Sequence, residues 1–345
     1  MDQDVSFGLW AASSLELYCR SKSRDEEGEI HLARGRTLYL PAMIAAAVTV
    51  ACAVALSAVS EKAEATFPGK NGRIAYSGYD GNDYEIYTID SRGGAKRKVT
   101  DNNRDDYSPS YSPSGRRIAY VKFDGNDTEI YTKRVGRRSE TKLTHNNADE
   151  AAPCYSPDGK KIAYMVNSDA ASGPEIYTIY VGGGGRIKLT SGGQPSYSPD
   201  GEKLVFWDYH KTAANPHPDT EIYTINVSGE GKTQLTHNNN DEFTPDYSPD
   251  GRKVVFAGLA GLERNNAESD IYKMNAVGGA RTRLTNNNKY DTYPSYSPNG
   301  KKIAYTVSKG KSGENIFTIN SFGRGKTQLT NKKADETGPS WGSRP

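Results

Sequence analysis

Carboxylates recur at two places in this chain, and each set suggests its own chemistry. Asp80-Gly81-Asn82-Asp83 and Asp124-Gly125-Asn126-Asp127 alternate oxygen-bearing side chains in a way that suits a hard divalent cation. The same residues also suit a hairpin turn, because Asp-Gly and Asn tolerate positive φ, and neither copy has the frame of an EF-hand. The turn is the preferred reading. The second set is Asp105 and Asp106, Asp149 and Glu150, Asp241 and Glu242, Asp291, and Asp335 and Glu336, each shortly ahead of a recurring aromatic-Ser or Pro-Ser segment. Repetition at one position favours a structural duty, such as bonding turn backbone or a neighbouring unit. Gathered at one mouth of a channel, the same acids could hold a cation or a basic peptide.

Histidines are few. His145 and His237 occupy equivalent places beside the second set, while His210 and His217 sit in one long connection between strands with Asp208 and Asp219, close to Trp207 and Tyr209. A metal site there needs ligands converging from more than one loop. Trp207, Tyr209 and Tyr290 fit contact with a protein or glycan partner, though supporting a long loop is the commoner duty of such aromatics. Cys154 takes a place held by Ser196, Asp246 and Ser295 elsewhere, which marks it as a small strand residue rather than a nucleophile. Cys19 and Cys52 lie far upstream, so no disulfide is expected within residues 66–345. Signatures of serine hydrolases, zinc proteases, P-loops and dinucleotide folds are missing from the sequence.

The elements that must position these side chains are set by a repeat. Tyr-Ser-Pro-Asp-Gly or a close variant starts at Tyr111, Tyr155, Tyr197, Tyr247 and Tyr296, at spacings of 44, 42, 50 and 49 residues. Such a period marks stacked supersecondary units, none able to bury its apolar faces alone. In the pentapeptide, Pro presets a turn, Asp bonds back to local backbone and Gly tolerates the exit geometry. Each unit reads as four strands, here named a to d. Strand a runs into the turn, strand b is an apolar triplet such as Ile162-Ala163-Tyr164, strand c resembles Glu85-Ile86-Tyr87-Thr88, and strand d ends in Leu-Thr.

In Glu221-Ile222-Tyr223-Thr224-Ile225 both alternating sets are largely apolar, so the sheet is covered on both faces. Four-stranded sheets covered twice and repeated at this period predict an all-β, six-bladed β-propeller of antiparallel blades. Its b–c and d–a connections share one side, and their variation makes that side the expected binding face. The b–c connections are tight in the first two blades and lengthen around 210–220 and 259–269. The chain ends with Pro339-Ser340-Trp341, the opening of a strand a without its strand b. This C-terminal strand is expected to join blade one and close the ring, removing open edges.

With these turns, the Ile-Ala-Tyr and Glu-Ile-Tyr-Thr strands and the Leu-Thr-x-Asn-Asn endings, residues 67–341 resemble the TolB-like, WD-repeat-like propellers of bacterial envelopes. The chain departs from TolB itself in that Thr66 leads almost directly into the first blade, where TolB has a separate α/β domain. The resemblance implies an extracytoplasmic binding or scaffold propeller without catalysis, whose partner is an envelope protein or cell-wall component.

Two other functions remain open: a metal-dependent propeller hydrolase or lactonase built from the acids with His145 or His237, and a glycan-binding propeller using Trp207 and Tyr290. No cofactor is expected, a divalent cation being the one ligand these acids would suit.

Residues 37–60 carry no charge, follow Arg34 and Arg36, and precede Ala63-Glu64-Ala65. That order predicts a leader over 1–65 and the propeller over 66–345. Cleavage after Ala65 is preferred to an uncleaved anchor because the run is rich in weakly apolar alanine. Either way the repeats lie outside, in the periplasm, secreted or held at the outer face of the membrane. Residues 66–345 carry 38 Lys+Arg against 33 Asp+Glu, a net +5 spread over every repeat. That balance gives no call for a nucleic-acid partner, and membrane contact is expected only through the leader.

Overall fold

The Ser-Pro-Asp-Gly turns are built as their residue types require. In Ser156–Gly159 the Gly159 N–H donates to the Ser156 carbonyl at 2.8 Å, Ser156 Oγ donates to Asp158 at 2.6 Å, and the Lys161 N–H donates to Ser156 Oγ at 2.9 Å. Gly159 sits at φ 68°, where a Cβ would be strained. Successive turns nest: a Cβ on Gly201, Gly251 or Gly300 would fall 3.5–3.6 Å from the ring of Pro157, Pro199 or Pro249 in the unit before.

The structure is a computed structural model that describes residues 69–167, 173–212, 215–259, 268–308 and 313–344. The expected leader, with Cys19 and Cys52, and residues 260–267 of the fifth b–c connection lie outside the described residues. No helix occurs among the described residues.

The first unit contains β1 (Asn71–Tyr79), β2 (Tyr84–Ile89) and β3 (Arg97–Lys98). The second contains β4 (Asp106–Tyr111), β5 (Arg117–Phe123), β6 (Thr128–Arg134) and β7 (Glu140–Lys142). The third contains β8 (Asp149–Tyr155), β9 (Lys161–Asn167), β10 (Glu175–Tyr180) and β11 (Ile187–Ser191). The fourth contains β12 (Gly193–Tyr197), β13 (Lys203–Thr212), β14 (Asn215–Asn226) and β15 (Thr233–Gln234). The fifth contains β16 (Glu242–Tyr247), β17 (Lys253–Leu259), β18 (Ser269–Asn275) and β19 (Thr282–Arg283). The sixth contains β20 (Tyr290–Tyr296), β21 (Lys302–Ser308), β22 (Glu314–Asn320) and β23 (Thr327–Gln328), and β24 (Glu336–Ser343) ends the chain.

The result is an all-β propeller of four-stranded antiparallel blades. β24 pairs with β1, so the last strand completes the first sheet in the order β24-β1-β2-β3. The strand pairing differs from six separate sheets in one respect. Four sheets are separate and four-stranded, while β16–β19 and β20–β23 join in one eight-stranded sheet. The link is a single parallel bridge between Ser269 and Tyr290. Its cause is local: Tyr290 stands where Asp105, Asp149, Asp241 and Asp335 stand in other connections. Those aspartates bond the start of the preceding strand c through their side chains, whereas at Tyr290 the main chains pair directly.

Among the described residues, six apolar clusters each draw on two consecutive units. Ile222 of β14 packs toward Phe256 of the next unit, and Ile225 of the same strand packs toward Ala163 and Ile176 of the unit before. The two faces of strand c are thus covered by different sheets, as its pattern predicts. One cluster joins Ala304, Ile316 and Leu329 to Ile74, Tyr76 and Trp341, which connects the sixth unit to the first.

The fourth b–c connection also differs from the long loop expected around 210–220. β13 and β14 continue their pairing through Tyr209↔Thr220 and His210↔Asp219 to Thr212↔Asn215, forming a long hairpin. Pro216 and Pro218 do not end the strand: this extension pairs with β13 alone, since β15 reaches only Tyr223 and Thr224, and proline is tolerated on such an edge.

Candidate binding face

The b–c and d–a connections meet on one side, and the repeated acids there form two layers with separate duties. In the outer layer, each aspartate holds the backbone N–H of the residue just before Glu85, Glu129, Glu221 or Asn315 on the preceding strand c. Asp105 Oδ1 accepts from Tyr84, Asp149 Oδ1 from Thr128, Asp241 Oδ1 from Thr220 and Asp335 Oδ1 from Glu314, each at 2.9 Å. A carboxylate receiving a backbone N–H is a charge-assisted hydrogen bond, so these acids tie one sheet to the next.

The inner layer is buried. Asp106, Glu150, Glu242, Asp291 and Glu336 are at most 1% exposed. In the first, second, fourth and fifth units they face a second carboxyl on strand c, Glu85, Glu129, Glu221 and Asp270, and in the sixth Asn315, whereas the third unit has Gly192 at the inner position and its Glu175 meets Lys188 and Tyr177 instead. Asn102, Asn238 and Asn287 donate side-chain amides to Asp106, Glu242 and Asp291 at 2.8, 2.6 and 2.7 Å, and Asn146 does the same for Glu150. Burial pushes Asp106 up to about 7, and burial together with a neighbouring Glu pushes Glu150 and Glu242 up to about 8. Glu129 is pushed up by burial but more strongly held down by hydrogen bonds from Glu150 and Thr144, so the pair keeps one proton, on Glu150. Cations complete the layer: Arg281 meets Glu242 at 2.7 Å, Lys96 meets Glu336 at 2.8 Å, and Arg283 pairs with Asp270.

Aromatic side chains cover the same side. Tyr84 donates its hydroxyl to Asp335 at 3.1 Å and packs 5.1 Å from Tyr107 and 5.4 Å from Tyr79 between ring centroids. Tyr290 stacks on Phe243 at 6.0 Å, and burial raises its hydroxyl to about 12. Burial likewise raises the Glu314 carboxyl, with the Asp335 charge adding to the effect. Tyr79, Phe123, Tyr209, Tyr290 and Tyr293 each remain 36–40% exposed.

Of the residues singled out by sequence, Trp207 and Tyr209 come together as an edge-on pair at 5.7 Å. The Trp207 Nε1 donates to Gln194 Oε1 at 2.8 Å, which also accepts the Thr244 N–H at 3.2 Å, so this indole braces two units. His210 Nδ1 lies 3.3 Å from the Tyr223 hydroxyl. His145 and His237 are exposed, and the side chain of His217 lies outside the described residues. Among the described residues, the compact groupings of three or more His, Cys, Asp or Glu side chains contain neither a histidine nor a d–a acid. Cys154 is half-buried against the core, and burial raises its thiol to about 12, a poor setting for a nucleophile.

Two features escaped the sequence reading. Asp246 stands where other units have Ser or Cys, and it clamps three units by accepting Ser196 Oγ at 2.8 Å and the Tyr296 N–H at 2.9 Å. Burial raises it to about 6. The departure from a repeated small residue was the available signal. Secondly, Ser108, Ala152, Gln194, Thr244 and Tyr293 adopt φ of 48–52° directly before a proline, each at a bulge in strand a. Both the sign of φ and the following proline disfavour this conformation, so the recurring proline was the only hint.

Fold and face together define a β-propeller with a polar, aromatic-studded side. A family model described as the TolB beta propeller domain matches residues 192–344. No curated protein matches the chain. The crystal structure of TolB from Acinetobacter baumannii is similar at a TM-score of 0.67 and 21% identity, over 86% of this chain and 71% of that one. A TolB-type protein from Agrobacterium tumefaciens is similar at 0.59 and 19% identity, over 79% and 99% of the two chains. Kuenenia stuttgartiensis hydrazine synthase is similar at 0.65 with 11% identity, over 81% of this chain and 48% of that one. The chain carries a TolB-like β-propeller, and an enzyme among proteins of the same fold means that fold alone does not assign a function.

Proposed function

We propose that this protein is an exported, six-bladed binding propeller that engages an envelope protein or cell-wall component without catalysis. The eight-stranded sheet is read as two blades because its halves meet through one bridge and because the apolar clusters each join consecutive units. Residues 1–65 are proposed to direct export, placing residues 66–345 outside the cytoplasm.

The observation that carries the binding reading is the b–c/d–a side itself. Five large aromatics stay 36–40% exposed there. The outer acids beside them are fixed by backbone hydrogen bonds, which presents negative charge on a rigid frame. Aromatic surface rimmed by fixed carboxylates suits a partner segment bearing basic and apolar side chains. A photo-crosslinking residue at position 293 should capture a discrete partner in the producing cell. The same residue at position 277, on a c–d turn of the other side, should not. Equal labelling from both positions would count against this face.

A further inference from the structure

The Asp-Gly-Asn-Asp hairpins of the first two units do more than turn the chain. Oxygens of Asp80, Asp83 and Glu85 all lie within 4.8 Å of one another, and those of Asp124, Asp127 and Glu129 repeat the arrangement one unit on. The turn accounts for only part of each group. Asp80 Oδ1 accepts the Asn82 and Asp83 N–H groups at 2.8 and 3.3 Å, and Asp124 Oδ1 accepts the Asn126 N–H at 3.1 Å. Asp83 has no such duty. It is 6% exposed and both of its carboxylate oxygens are buried without a hydrogen-bond partner. Asp127, also 6% exposed, has Oδ2 in the same condition. Buried carboxylate oxygens aimed at other carboxylates and left unpaired are costly unless something positive joins them.

One ammonium serves each group and does not neutralise it. Lys98 meets Asp80 at 2.9 Å and Glu85 at 3.4 Å, and Lys142 meets Asp124 at 2.7 Å and Glu129 at 3.0 Å. Three carboxylates against one lysine leave each cluster at −2 when all are ionised. A recess of about 620 Å³ opens over the first cluster, lined by Asp80, Asn82, Asp83, Lys98 and Asp105 among others, with room for an ion and its waters. The donors are all oxygen, which selects a hard cation over zinc or copper.

We propose that each of these two hairpins binds one calcium ion, with Asp83 and Asp127 as the ligands that only the ion satisfies. The assignment does not depend on the partner-binding reading. The third and sixth units have Gly173 and Gly313 at the place of Asp83, and the longer b–c connections of the fourth and fifth lack the Asp-Gly-Asn-Asp turn. Two sites per chain are therefore expected, with dissociation constants of about 0.1–1 mM, the range of exposed extracellular calcium modules.

Equilibrium dialysis of the chelator-treated full chain against radioactive calcium should give two equivalents. Asp83→Asn should lower this to one, and Asp83→Asn with Asp127→Asn to none. Terbium provides a second readout, since Tyr84 adjoins Asp83 and Tyr131 lies beside Asp124; sensitised emission should fall in Asp83→Asn, vanish in the double variant, and be quenched in the native chain by excess calcium. Melting curves without calcium check that the variants fold, and these isosteric changes should leave the calcium-free melting temperature unchanged or higher. Fewer than two equivalents in the native chain, or binding that survives the double variant in folded protein, overturns the assignment.

Discussion

Trp341 lies opposite Ile74 in the pairing of β24 with β1, and both side chains are wholly buried. One residue belongs to the last strand and the other to the first, so a single contact spans nearly the whole propeller sequence. Trp341→Ala should therefore destabilise the propeller by about 3–5 kcal/mol, the usual range for emptying a large aromatic site in a core. Urea unfolding measures this directly. Removing β24 altogether should expose the edge of β1 and produce association, read by light scattering.

The buried acids set a pH dependence with a definite sign. Asp106, Glu150 and Glu242 are raised to about 7, 8 and 8 by burial, well above ordinary carboxylates. The folded chain then holds protons that the unfolded chain has released. Their contribution is full below about pH 4 and is lost as pH rises toward 8. Urea midpoints should fall between pH 5.5 and pH 8.5. Glu150→Gln, which makes the proton permanent in the manner of the native Asn315 in the sixth unit, should flatten that fall. A midpoint that rises over this interval would contradict the shared-proton description.

The strand-a bulges invite a stabilising change. Ala152 has φ 48° directly before Pro153. An L-residue in this region costs roughly 1–2 kcal/mol, and Gly loses roughly 0.5–1 kcal/mol through the unfolded chain. Ala152→Gly should be neutral to stabilising, by up to about 1 kcal/mol, although most glycine substitutions in strands destabilise. A loss above that amount in thermal denaturation would mean that the methyl group, not the backbone, matters at this site.

The strands and turns were legible because repetition multiplies weak signals: one Ser-Pro-Asp-Gly is a turn, and three with two close variants, recurring every 42–50 residues, are an architecture. Roles within the repeat were less legible. That Asp105 recurs as Asp149, Asp241 and Asp335 is visible in sequence, but which backbone N–H each one holds depends on how adjacent units dock. The replacement at Tyr290 was visible too, yet its consequence, a direct main-chain bridge to Ser269, needed the neighbouring strand. The long connection expected around 210–220 is instead the extended hairpin of β13 and β14, whose free edge accommodates Pro216 and Pro218. Asp246 passed as a variant of a small residue because its partners, Ser196 and Tyr296, each lie 50 positions away.

The binding role is tested most directly by a cross-linked pull-down with the purified full chain against envelope extract of the producing organism, scored by mass spectrometry. Tyr290→Ala with Tyr293→Ala, and separately Trp207→Ala with His210→Ala, serve as face variants whose folding is checked by circular dichroism. A protein or wall fragment recovered near one-to-one with the native chain, and reduced at least tenfold by the first pair, is the predicted result. Recovery that is unchanged in folded variants of both pairs would contradict a partner held on the b–c/d–a side.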